Sequence, residues 1–160
     1  PVYRKYPYDT AYNVARIGEL CVCNAKHTDR KLMDRLYDAG AHIIDVKQGY
    51  TRCSICIVDD HSIITSDEGV YGVLRKYDLD ILKIRPGFIE LPGLDYGFIG
   101  GSSGLISSDR LFFAGNISLH PDRKKIERFL REHNKKMISV YGCNLLDVGG
   151  VMPLMEIRKD

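Results

Sequence analysis

The sequence predicts a single α/β domain built from repeated strand–strand–helix–strand (ββαβ) units. Three observations carry this. Short β-rich apolar runs come in pairs around a tight turn, a helix follows each pair, and another apolar run closes each copy. The period is roughly 40–50 residues, the range in which each copy is one supersecondary unit that must stack on its neighbours to bury its sheet.

The first unit covers about residues 12–46. A short strand turns at Gly18 into Leu20-Cys21-Val22-Cys23, a helix follows from about Asp29, and Ile43-Ile44-Asp45-Val46 closes the unit. In the second, 54–84, the strand Ser54 to Val58 turns through Asp59-Asp60-His61 into Ser62-Ile63-Ile64-Thr65. Its helix begins near Asp67 and its last strand is Ile81-Leu82-Lys83-Ile84. The third, 97–140, pairs Gly104-Leu105-Ile106 with Leu111-Phe112-Phe113-Ala114 across Ser108-Asp109. Its helix starts near Pro121 and its closing strand is Met137 to Val140. A partial fourth unit, 145–157, begins at Leu145 with a strand around Val151 to Ile157 and stops without a helix.

Helix ends carry their own signals. Asn24 to Lys31 parallels Asn116 to Lys124 with one insertion, and both place acid in the first helical turn, where it favours exposed N–H groups. Thr28 is suited to cap the first helix and Pro121 to open the last. Gly40 and Asn134 fall where a left-handed stop is needed. Ile126, Phe129, Leu130 and His133 recur at helical spacing, so the last helix lays one face on a sheet.

Composition narrows the function classes. With 160 residues, 44% of them hydrophobic, the chain builds one domain over 1–160 with a real core. Charged residues make up 28% but the net charge is only +2, which argues against disorder and gives no reason to expect a nucleic-acid partner. No apolar run approaches the roughly 20 residues of a membrane span, and the tyrosine-rich start is unlike a secretory signal. Five cysteines sit in apolar strand-like runs, which predicts reduced thiols in a cytoplasmic protein.

A ββαβ unit repeated about an axis resembles the pentein fold of the guanidino-group-modifying enzymes. The run from Gly100-Gly101 through Leu111-Phe112-Phe113-Ala114-Gly115-Asn116 is similar to their recurring glycine pair, strand, turn and strand. Lys5 to Asp9, Val46 to Thr51 and Leu91 to Gly101 resemble an uncharacterised bacterial family of that fold. The resemblance implies five units around a pseudo-fivefold axis with the site in a central channel. It also implies that these residues are the later part of such a ring, an open arc whose uncovered edges favour self-association.

Those enzymes use a cysteine thiolate in the final unit and a histidine in the unit before it. Here the matching stretches read Gly149-Gly150-Val151-Met152-Pro153-Leu154 and Tyr96-Gly97-Phe98-Ile99-Gly100, with neither residue. Without a thiolate and its proton carrier the covalent route is closed. Cys53, at the entrance to a first strand beside Arg52, is the candidate non-standard nucleophile; its other reading is a buried thiol. Cys143 has no base nearby in sequence.

Asp9, Asp95 and Asp147 each precede or adjoin the first strand of a unit, so repetition would gather negative charge around the axis to hold a cation, with Asn13 joining them. Turn chemistry is their alternative, since Asp bonds its own backbone readily. The run Gly100-Gly101-Ser102-Ser103-Gly104 reads either as an anion cradle of backbone N–H groups or as a close backbone approach. No helix follows it, so it is not a phosphate loop. His27 and His120 fall beside helix starts on the rim, in capping or surface roles, and His61 sits in a solvated hairpin turn.

Metal and cofactor signals are weak. Cys21 and Cys23 share a strand face, and Cys53 and Cys56 flank Ser54-Ile55 in a strand, whereas a zinc knuckle needs its pair on a turn. Pro1 lacks the opening strand of proline-dependent tautomerases. The expectation is therefore a pentein-like, catalytically degenerate domain, without metal or cofactor, that binds a small polar or cationic molecule in its channel. Its rivals are a hydrolase or transferase acting through Cys53 and a scaffold without a small-molecule site.

Overall fold

A computed structural model describes residues 5–155. It is a mixed α/β fold of three small three-stranded sheets with interspersed helices. The first sheet contains β1 (Ala15–Ile17), β2 (Leu20–Cys23) and, after helix α1 (Arg30–Asp38), β3 (His42–Asp45). A single helical turn, α2 (Thr51–Ser54), leads into β4 (Ile55–Ile57) and β5 (Ser62–Thr65), then α3 (Glu68–Leu74) and β6 (Asp80–Lys83). The third sheet has β7 (Ser103–Ser107), β8 (Arg110–Phe113), helix α4 (Arg123–Glu132) and β9 (Lys136–Ser139).

In every sheet the second strand lies between the other two, antiparallel to the first and parallel to the third. The chemistry is simple: a hairpin joins the antiparallel pair, while the parallel pair needs a crossover long enough for a helix. Gly18 supplies the tight turn between β1 and β2 at φ 55°. Ladder pairing does not run from one sheet into the next among the described residues. Neighbouring units meet instead along their first strands, β1 beside α2 and β4 beside β7.

The middle sheet is a shared layer. Ile55 and Ile63 face a core with Ala15, Ile17, Val22, Val70 and Leu74. Their neighbours Cys56 and Ile64 face a second core with Leu111, Phe113, Ile126, Phe129 and Leu130. Alternation along a strand sends successive side chains to opposite faces, so both faces of β5 are buried and each of its four residues is covered. Each fully buried Ile, Leu or Phe contributes about 1.5–3 kcal/mol, which fastens the second and third units to one another. Two polar contacts reinforce that seam: His133 touches Asp80 at 2.9 Å and Asp59 at 3.2 Å, and Arg85 embraces Asp122 through Nε and Nη2, each at 3.1 Å.

Several local expectations need correction. Asp29, not Thr28, caps α1, its carboxylate accepting from Lys31 N and Leu32 N, while the Thr28 hydroxyl donates to Asn24 O. Asp122 stands at the start of α4 but turns its carboxylate to Arg85 rather than to the helix. Ser54 ends a helical turn instead of opening a strand. Residues 151–155 form no strand; Val151 N donates to Ser103 O, and ahead of them Leu146 makes an isolated parallel bridge with Glu90. Glu156, Ile157 and Pro1 lie outside the described residues. Gly40 and Asn134 do take the left-handed conformation, at φ 69° and 56°. Among the described residues no helix is long and apolar enough to cross a membrane.

Candidate functional site

A cleft of about 500 Å³ is lined by Tyr50, Cys53, Leu91, Leu94, Phe98 and the stretch Asp147, Val148, Gly149. It lies where the segments leading into β4 and β7 meet the chain just before Val151. Cys53 reaches it because α2 is pinned from the first unit. Asn13 does the pinning: its carbonyl accepts from Thr51 Oγ1 at 2.6 Å and its side-chain oxygen from Arg52 N at 2.7 Å. The same side chain turns its Nδ2 toward Cys53 Sγ at 3.5 Å. On the far side the thiol points at Gly149 O, 3.9 Å away.

This environment keeps Cys53 protonated. Burial pushes its pKa up, and the nearby Asp147 carboxylate pushes it further, outweighing the Asn13 amide and the Arg52 charge. Reactive cysteines have the opposite setting, electropositive and partly open. Among the described residues no histidine lines the cleft. His27 meets Tyr8 edge-on, His61 is exposed on its turn, and His120, contrary to the rim expectation, is buried at 3% exposure. The turn Ile117–Leu119 folds it inward, where Asp122 N donates to its Nδ1 at 3.0 Å and Phe88 packs against the ring.

The expected carboxylates do not form a ring. Asp147 is buried in the cleft wall, its Oδ2 accepting from Phe98 N and its Oδ1 from Gly149 N, both at 2.9 Å. It therefore serves as turn chemistry and as a pin between two segments, with lone pairs left over. Asp9 is one step removed: its Oδ2 accepts from the Tyr50 hydroxyl at 2.5 Å, and its Oδ1 is buried without a partner. Burial, then the hydrogen bond and charge of Asp9, push the Tyr50 hydroxyl up to about 12. Tyr6 stacks on Tyr50 with ring centroids 6.0 Å apart. Asp95 is exposed and lines a separate hollow of about 250 Å³ with Glu90 and Leu119.

The glycine-rich run is a close approach. Gly100 lies against the carbonyls of Arg52 and Ile55, so tightly that a Cβ would overlap both. Its neighbours' N–H groups are taken, Gly101 N by Cys53 O at 2.8 Å and Ser103 N by Gly100 O at 3.4 Å. The Ser103 hydroxyl donates to Ile99 O at 2.7 Å. Those donors are therefore turned inward and away from any anion.

Tyr50 and the wall of Leu91, Leu94 and Phe98 escaped the sequence reading. The available signal was two leucines flanking Pro92-Gly93, because apolar side chains in a turn-forming loop need a reason; Leu94 is 70% exposed. All five cysteines are unpaired, four buried and Cys143 exposed. Among the described residues no group of three or more His, Cys, Asp or Glu is placed to hold a metal ion.

Fold and site together define a mixed α/β protein of stacked ββαβ units with a mostly apolar cleft closed by one carboxylate and one protonated thiol. The chain belongs to the family of unknown function DUF6873, whose model matches residues 1–152. No curated protein and no solved structure matches it.

Proposed function

We propose that the protein is a catalytically degenerate, pentein-like domain that binds a small cationic ligand with an apolar portion in the Cys53 cleft. The pentein reading is supported by three successive units with one strand order and one pairing pattern, meeting along their first strands. The binding reading rests on one observation above the rest: among the described residues Asp147 is the only acidic or basic residue type, of Asp, Glu, Lys, Arg and His, in the lining. Cys53 and Tyr50 are held neutral, so the cleft is net negative. Leu91, Leu94 and Phe98 provide the apolar wall, and the aromatic faces add attraction for a cation.

Cleavage of a bound guanidinium would need a thiolate and a proton carrier, and the surroundings of Cys53 favour neither. The rival, a hydrolase or transferase using Cys53, has in its favour that the sulfur lines the cleft. Calorimetric titration with phenethylammonium, against uncharged phenethyl alcohol, tests the binding reading. Saturable binding of the cation, weakened roughly tenfold or more by Asp147→Asn, is the expected result. Equal affinity for the alcohol, or no binding of either, overturns it.

A further inference from the structure

We infer that a second groove, disjoint from the Cys53 cleft, binds a small organic carboxylate through Arg52. The groove has a volume of about 460 Å³, and each of the three units contributes to it. Val14 comes from the lead-in to β1, Ile57 from β4 and Leu105 from β7, with Val151 completing the apolar surface. Among the described residues its lining contains Arg16 and Arg52 and no carboxylate, the reverse of the cleft that holds Asp147.

Arg52 is held in place at three points. Its backbone N–H is fixed by Asn13, its Nη1 donates to Gly100 O at 3.1 Å, and its guanidinium lies against Gly150, where a Cβ would come within 3.4 Å of Cζ. The side chain is partly buried, yet among the described residues no carboxylate pairs with it, whereas Arg85, Arg110, Arg123 and Arg128 each have one. Its remaining guanidinium donors meet no protein acceptor among the described residues. Arg16, the second cation of the lining, spends its Nε on Gly18 O at 3.0 Å and likewise has no carboxylate partner among the described residues.

A partly desolvated, immobilised cation is unfavourable until an anion reaches it. The planar fork of a guanidinium matches the two oxygens of a carboxylate better than it matches a spherical ion. The aliphatic walls take a hydrocarbon body. A monocarboxylate carrying a compact apolar group satisfies both features at once.

The inference is independent of the cation reading of the other cleft, since the two linings share no residue. Its test is calorimetric titration of the full chain with phenylacetate, using phenylacetamide as the uncharged control and inorganic phosphate as the non-forked anion. We expect saturable phenylacetate binding, roughly tenfold or more weaker for the amide, for phosphate and for Arg52→Gln. Val14→Trp fills the groove while leaving Arg52 in place, and abolishes binding even if Arg52→Gln fails to fold. No saturation by about 10 mM, equal affinity for amide or phosphate, or retained binding in Val14→Trp overturns the inference.

Discussion

The Asp147 carboxylate occupies the space that a side chain on Gly101 would need: a Cβ there would overlap Oδ1, Cγ and Oδ2 together. Gly97 approaches the same residue from the other side, its notional Cβ 2.5 Å from Asp147 Cβ. Two glycines thus make room for one acid, and the acid ties Phe98 to Gly149. Neither glycine has a left-handed backbone, so the requirement is one of space rather than of conformation.

Gly101→Ala should therefore expel Asp147 and unpick the cleft wall. Overpacking at a closed backbone contact costs roughly 1–3 kcal/mol, and the lost hydrogen bonds place this variant at the upper end. Urea unfolding measures it. A midpoint equal to that of the parent protein would show that Asp147 does not need the gap.

Cys53 should alkylate slowly at neutral pH. Site-resolved mass spectrometry with iodoacetamide should find Cys143, which is exposed, modified first, and Cys53 reaching its full rate only in denaturant. Asp147→Asn removes a charge that opposes the thiolate and should speed the folded-state reaction; Arg52→Gln removes one that favours it and should slow it. Preferential labelling of Cys53 near pH 7 would instead identify an activated thiol.

Tyr50 should titrate far above the ordinary tyrosine value. In protein carrying ¹³C-labelled tyrosine rings, one ring signal should move only near pH 12, and Asp9→Asn should bring it down toward the ordinary value of about 10. A pKa raised by folding stabilises the protein below the unfolded value. Its contribution is complete below about pH 10 and is lost as pH climbs from there toward 12. An unshifted Tyr50 in the parent protein would break the Asp9 pairing.

The seam between the second and third units should show itself in acid. Burial alone would raise the Asp122 carboxyl, but the Arg85 side chain and N–H, with Lys125, hold it near 2. Here the folded value lies below the unfolded one. The contribution is present above about pH 4 and disappears as pH falls toward 2. Arg85→Met should lower Tm at pH 7 by an amount worth about 2–3 kcal/mol, with the difference from the parent shrinking across that window. A constant difference between pH 7 and pH 2 would exclude the pair as its source.

The repeat was legible because paired apolar runs around turns, such as Ile55 to Ile57 against Ser62 to Thr65, are local signals. The buried stripe of Ile126, Phe129 and Leu130 was legible for the same reason. The cleft was not, because its parts are placed from afar. Thr51, Cys53 and Ser54 have modest helix propensity; their turn is held by Asn13, 39 residues upstream of Arg52, a partner no local pattern reveals. Asp95 was grouped with Asp9 and Asp147 by its place in the repeat. The loop that carries it is bridged only at Glu90, among the described residues, and is closed by Gly97 N on Ile89 O, which leaves Asp95 at the surface. His120 looked like a rim residue beside a helix start, but the preceding turn tucks it under Phe88.

Binding of a cation without turnover can be read in one experiment, ¹³C NMR of agmatine labelled at the guanidino carbon and mixed with the full chain. This signal should shift or broaden on binding, the effect should be lost in Asp147→Asn, and the carbon should stay a guanidinium over many hours. Growth of a ureido carbon signal, stopped by alkylating Cys53, would contradict it.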